Sequence, residues 1–136
     1  MRVMLDTNIL ISALVFGGKA ELLLTELFLS ECEVYVSEYV TGEFAEKIAL
    51  KWPQKAEQLM DIYTKLPVIF CKSTDNMQGS LRDNKDLPVL SDALYHNADV
   101  ILTGDKDFLE AEIDHPMIFS ISMMSEYIQK INRMKK

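Results

Sequence analysis

Cysteine is scarce in this chain. The two present, Cys32 and Cys71, stand far apart and outside any CxxC or Cys/His spacing. That argues against a zinc site or a disulfide, and for buried thiols in a reducing compartment. The two histidines, His96 and His115, are equally isolated and read as structural or solvated. No apolar run is long enough to cross a bilayer: residues 9–16 are too few, Asp6 and Asn8 interrupt the approach to them, and no cleavage site follows. A cytoplasmic protein without a membrane segment is expected. Positive charge is also short, with fourteen Lys and Arg against twenty-one Asp and Glu, a formal net charge of −7. Taken alone, that balance argues against nucleic acid, because phosphate binding normally leaves a basic footprint.

The composition that is there is globular. Apolar residues make up 49% and charged ones 26% of 136 residues, which excludes disorder, collagen-like repeats and low complexity and fits one domain over 1–136. The period of the apolar residues alternates between strand-like and helix-like, the pattern of an α/β/α domain with a parallel sheet of about five strands. Strands are expected at 2–5, 32–36, 68–71, 100–103 and 116–121. Helices are expected at 9–15 (broken by Gly17 and Gly18), 20–30, 38–51, 53–66 and 86–97. A final helix should be capped by Ser122 and end in Lys130, Arg133, Lys135 and Lys136. Leu22, Leu23, Leu27 and Phe28 mark the inner side of the 20–30 helix, and Ser37 is the N-cap of the 38–51 helix, whose Val40, Phe44 and Ile48 recur every four residues. The polar stretch 73–85 reads as a loop.

In such a sheet, ligands bind beyond the carboxyl ends of the strands. Asp6 stands just past the first strand and Asp105 just past the fourth. Glu43 lies within two turns of the start of the helix after strand two, and Asp86 opens the helix leading into strand four. If strands one and four are neighbours, four acids reach one edge. Clustered carboxylates repel and lose hydration, and a hard divalent cation relieves both. An all-oxygen set without histidine suits Mg²⁺ or Mn²⁺ rather than zinc. A metal held there can ionise water and neutralise a phosphate, so metal-assisted phosphodiester hydrolysis is the expected chemistry. Each acid also has a structural reading, as a helix cap or an Asx-turn residue.

The segments that hold these acids resemble a known family. Leu5-Asp6-Thr7-Asn8-Ile9-Leu10 is similar to the opening of PIN domains. Arg82-Asp83-Asn84-Lys85-Asp86, Ala93-Leu94 and the run from Ala98 through Thr103-Gly104-Asp105-Lys106-Asp107-Phe108 are similar to that family's second half. The likeness spans essentially the whole chain and is strongest to small toxin components of toxin–antitoxin systems, akin to VapC ribonucleases. It implies a Rossmann-like sheet of order 3-2-1-4-5 and Mg²⁺- or Mn²⁺-dependent cleavage of RNA. It also implies Asp6, Glu43, Asp86 and Asp105 as catalytic metal ligands, with Glu43 orienting or deprotonating the attacking water or helping to hold a second metal. Thr7, Asn8 and Thr103 would support them by hydrogen bonds. Asp83 competes with Asp86 for the third ligand, and the spacing to the Thr-Gly-Asp run favours Asp86. Asp107 either assists Asp105 or caps the turn at 108–111. Asp92, six positions past Asp86 and off its helical face, reads as surface. An antitoxin covering the acidic groove and a homodimer are further implications, with Leu23–Leu27 and Tyr63–Leu66 as candidate dimer faces.

Rival folds fit poorly. Haloacid-type phosphatases need an Asp two residues after the first, where this chain has Asn8. Receiver domains need an acid at the end of strand three, where it has Val68-Ile69-Phe70-Cys71. The alternative from another class is a catalytically inactive PIN fold acting as a protein-binding module; retention of all four acids favours the enzyme. The net charge then takes on a different meaning. Four of the negative charges belong to one pocket, where one or two divalent ions would cancel roughly two to four of them.

Overall fold

A computed structural model describes residues 1–75 and 86–134 of the chain. Within them run strands β1 (Arg2–Leu5), β2 (Glu33–Ser37), β3 (Ile69–Cys71), β4 (Val100–Leu102) and β5 (Met117–Phe119). The helices are α1 (Thr7–Ile11), α2 (Gly18–Leu29), α3 (Glu38–Lys51), α4 (Ala56–Thr64), α5 (Leu87–Tyr95), α6 (Lys106–Glu110) and α7 (Ile121–Met134). The strands form one parallel sheet in the order β3-β2-β1-β4-β5, as the family resemblance implies. Asp83 and most of the 73–85 stretch, like Lys135 and Lys136, lie outside the described residues.

The central strands explain why periodicity found them. Val3, Met4 and Leu5 of β1, and Val100, Ile101 and Leu102 of β4, are all fully buried. Successive strand residues face opposite sides, so both faces of the sheet must be covered, which demands an unbroken apolar run rather than alternation. Parallel pairing sets Val3 beside Val100, Met4 beside Ile101 and Leu5 beside Leu102. The residues just beyond, Asp6 and Thr103, are therefore neighbours.

Helix α3 forms as its sequence predicts. The Ser37 side chain accepts from the Val40 N–H at 3.2 Å, and Val40, Phe44 and Ile48 are buried at spacings of four. The Phe44 ring stacks on Tyr63 of α4 at 4.5 Å, and the Tyr63 and Thr41 hydroxyls share a hydrogen bond of 2.8 Å. These contacts orient α3 and so place Glu43. After α1 the chain widens into a π-helical turn over Ser12–Phe16. Gly17, with φ 75°, breaks it, and α2 leaves at 109° to the preceding helix. Among the described residues no single helix is long and apolar enough to cross a membrane.

Several local expectations need correction. Helix α2 buries Ala20, Leu23, Leu24 and Leu27, whereas Leu22 is 67% exposed. Leu23, Leu27 and Tyr63 are core, which removes them as a dimer face. The last helix starts at Ile121, and Ser120 rather than Ser122 caps it, accepting from the Met123 N–H at 3.2 Å. Asp92 is buried, not superficial: its carboxylate accepts from the Ser73 hydroxyl and the Thr74 N–H, both at 2.7 Å. The cysteines are free, and both are half-buried rather than buried.

Candidate functional site

Asp6 is the residue at which β1 becomes α1. Its backbone N–H extends the ladder to the Leu102 carbonyl at 3.0 Å, while its extended φ and ψ make it the N-cap of α1. Oδ1 accepts from the Thr7 N–H at 2.8 Å, and Oδ2 accepts from the Thr103 hydroxyl at 2.7 Å. The Asn8 amide approaches Oδ2 at a longer 3.4 Å and accepts from the Gly104 N–H through its own Oδ1 at 2.9 Å. Thr103, fully buried, also accepts from the Asp105 N–H at 3.0 Å. One hydroxyl thus ties the end of β1 to the loop after β4, across 97 positions of sequence.

Asp105 caps α6, its Oδ1 accepting from the Asp107 N–H at 2.9 Å. The Asp107 side chain is exposed, and the capping role considered for it belongs to Asp105. Glu43 lies in the second turn of α3, half-buried, with the Tyr39 hydroxyl 3.5 Å from Oε2. Asp86 precedes α5, in whose first turn Pro88 sits, and its mostly buried carboxylate makes no capping hydrogen bond.

Asp6, Glu43, Asp86 and Asp105 all line one cavity of about 80 Å³ at the carboxyl end of the sheet. Thr7, Asn8 and Val89 complete its wall together with Lys47, the one basic side chain among the described lining residues. Thr103 acts from behind Asp6. Sequence reasoning missed Lys47 and Tyr39. Both are one helical turn from Glu43, at i+4 and i−4, so the spacing rule that puts such side chains on one face could have found them.

The electrostatics follow from burial. Burial pushes the Asp6 carboxyl above the usual carboxylate range. Hydrogen bonds from Thr103 and Thr7 oppose this, and the charges of Glu43 and Asp105 reinforce it. Burial and the Glu43 charge raise the Tyr39 hydroxyl, which therefore stays protonated and able to donate at neutral pH. Among the described residues, Thr7 Oγ1 is a buried side-chain oxygen without a hydrogen-bond partner.

Among the described residues no three acids stand close enough to hold an ion by direct coordination alone. The donor set still fits a hard divalent cation. Mg²⁺ typically binds through one or two carboxylates and keeps several waters, and the cavity has room for them. The residues that would hold it, in part through waters, are Asp6, Asp86 and Asp105, with Glu43 on the same cavity wall.

Comparison with known proteins bears on the fold and the family. The chain is similar in fold to a chain of the crystal structure of VapBC2 from Rickettsia felis bound to a DNA fragment from their promoter. The TM-score is 0.68 at 19% identity, over 88% of this chain and 98% of the other. No curated protein matches. The sequence model described as PIN domain matches residues 2–107, a span that takes in Asp6, Glu43, Asp86 and Asp105. The chain belongs to the PIN domain family.

Proposed function

We propose that this protein is a Mg²⁺- or Mn²⁺-dependent endoribonuclease that serves as the toxin of a toxin–antitoxin pair. PIN domains are generally nucleases, and they generally use divalent metal ions. The observation that carries the reading is the meeting of four acids, from four separate segments, around one small cavity beside the β1–β4 junction.

Bound there, the metal would ionise a water and neutralise charge on the scissile phosphate. The rest is the work of the chain itself. Asp6 is fixed by the Thr7 N–H and the Thr103 hydroxyl, which leave lone pairs of its carboxylate for the ion. Asp105 is held by its own capping bond, and Asp86 closes the third side. Glu43 orients the attacking water. The Tyr39 hydroxyl, 3.5 Å from Oε2, helps hold that carboxylate in place to accept the proton.

The partner would be an antitoxin that covers the acidic pocket with a basic side chain, as the charge of the lining suggests. The likeness to a chain of a VapBC2 structure supports that pairing. The test is incubation of purified protein with single-stranded RNA in Mn²⁺, then in chelator, beside Asp6→Asn and Asp105→Asn. Cleavage that needs Mn²⁺ and is lost in both variants is expected. Metal-independent or mutation-insensitive cleavage would overturn the site, and no cleavage at all would favour the inactive protein-binding module.

A further inference from the structure

A pocket walled by four carboxylates is a poor host for a polyanion, and the nuclease reading leaves open how the phosphate strand is held. Lys47 is the basic side chain at that wall among the described residues. It stands one turn beyond Glu43 on α3, so both project from the same helical face. Lys47 is half-buried, and its ammonium pairs with no carboxylate among the described residues. The ion pairs formed between described residues, Arg2–Glu33 at 3.8 Å and Lys65–Asp61 at 3.1 Å, do not involve it.

A lysine so placed could have been consumed by Glu43, since a Glu and a Lys at i and i+4 ordinarily pair. It lines the cavity without doing so. From this placement we infer that Lys47 binds a phosphate of the RNA strand at the cavity, supplying the positive charge that the four acids lack. The inference rests on the nuclease reading above. A charge-assisted contact from an ammonium to a phosphate oxygen holds substrate in the ground state and the transition state alike. It therefore sets KM more than kcat.

The experiment compares wild type, Lys47→Met, which keeps the stem without the charge, and Lys47→Arg. Cleavage of a single-stranded RNA oligonucleotide in saturating Mn²⁺ is followed at several salt concentrations, beside the Mn²⁺-induced rise in melting temperature. Lys47→Met is expected to raise KM about tenfold with kcat within about threefold, the size of one charged contact. Its dependence of log kcat/KM on log salt should be shallower by about 0.7, one phosphate contact on a single strand. Lys47→Arg should restore most of both, and the Mn²⁺ shift should persist in Lys47→Met. An unchanged KM and salt slope in Lys47→Met would overturn the inference while leaving the nuclease intact. So would an unchanged KM with a larger Mn²⁺ shift, which marks Lys47 as an internal counter-ion. If wild type cleaves no RNA, the nuclease reading fails first and the inference falls with it.

Discussion

Replacing Thr7 by Val should make this protein more stable. Thr7 is 1% exposed, and its Oγ1 is buried without a hydrogen-bond partner, whereas its backbone N–H is satisfied by Asp6. Val keeps the branched shape and that N–H, and puts a methyl where the hydroxyl was. A hydroxyl buried without a partner costs about 1–3 kcal/mol on mutational scales. Part of that is recovered when both the group and its desolvation penalty vanish, so a gain of about 1 kcal/mol is the reasoned figure. With about 2.1 cal/mol/K of unfolding entropy per residue, a chain of 136 residues shifts its melting temperature by about 3–4 °C for that gain. The assay is thermal and urea unfolding in chelator, with the urea slope unchanged so that the midpoint alone carries the difference. A loss of 1 kcal/mol or more would refute the reasoning, because it would mean that the hydroxyl has a partner worth keeping.

Two further predictions concern ionisation. Because burial raises the Asp6 carboxyl, the stability linked to its protonation is fully present below the ordinary carboxylate value and is lost as pH rises through the raised one. Asp6→Asn, which cannot ionise, should therefore melt higher than wild type at pH 7 without metal. The advantage should shrink as pH falls toward 4; one that grew instead would reverse the sign of the burial effect. Separately, burial, reinforced by the Asp92 charge, raises the Cys71 thiol to about 11. At pH 8 only about 0.1% of it is thiolate, against roughly a quarter for a free thiol. Alkylation by iodoacetamide, followed by peptide mass spectrometry, should be slow at Cys71, and labelling as fast as that of a free thiol would contradict this.

What the sequence made legible is what repetition along one element determines. Strands β1 and β4 stood out because both faces are covered, so Val3, Met4 and Leu5 and Val100, Ile101 and Leu102 form unbroken apolar runs. The α3 cap and its buried stripe were legible because a cap and a four-residue spacing are local. The acids were legible as strand-end and helix-start residues, and their meeting depended on the order of the sheet, which the family resemblance supplied. Asp92 failed for the opposite reason. Its position was judged by its angle from Asp86 on the same helix, but Ser73 and Thr74 arrive from another segment to satisfy it. Leu22 was assigned to the inner side in place of Leu24, although Ala20, Leu23, Leu24 and Leu27 are the set that follows the helical spacing of three and four. Lys47 was passed over because charge in a helix is ordinarily solvated, although its spacing of four from Glu43 puts it on the same face.

The hydroxyl of Thr103 that holds Asp6 also sets a timetable. Asp6 is made well before its anchoring partner, which lies 97 positions later. Until Thr103 has been made and β4 has slid in beside β1, the growing chain carries Asp6 without the hydroxyl that fixes its Oδ2. Pairing between strands so distant in sequence is a late event, because closing the loop must precede the reward. In a nascent copy of this chain, therefore, Asp6 gains its fixed orientation only after β4 has been made.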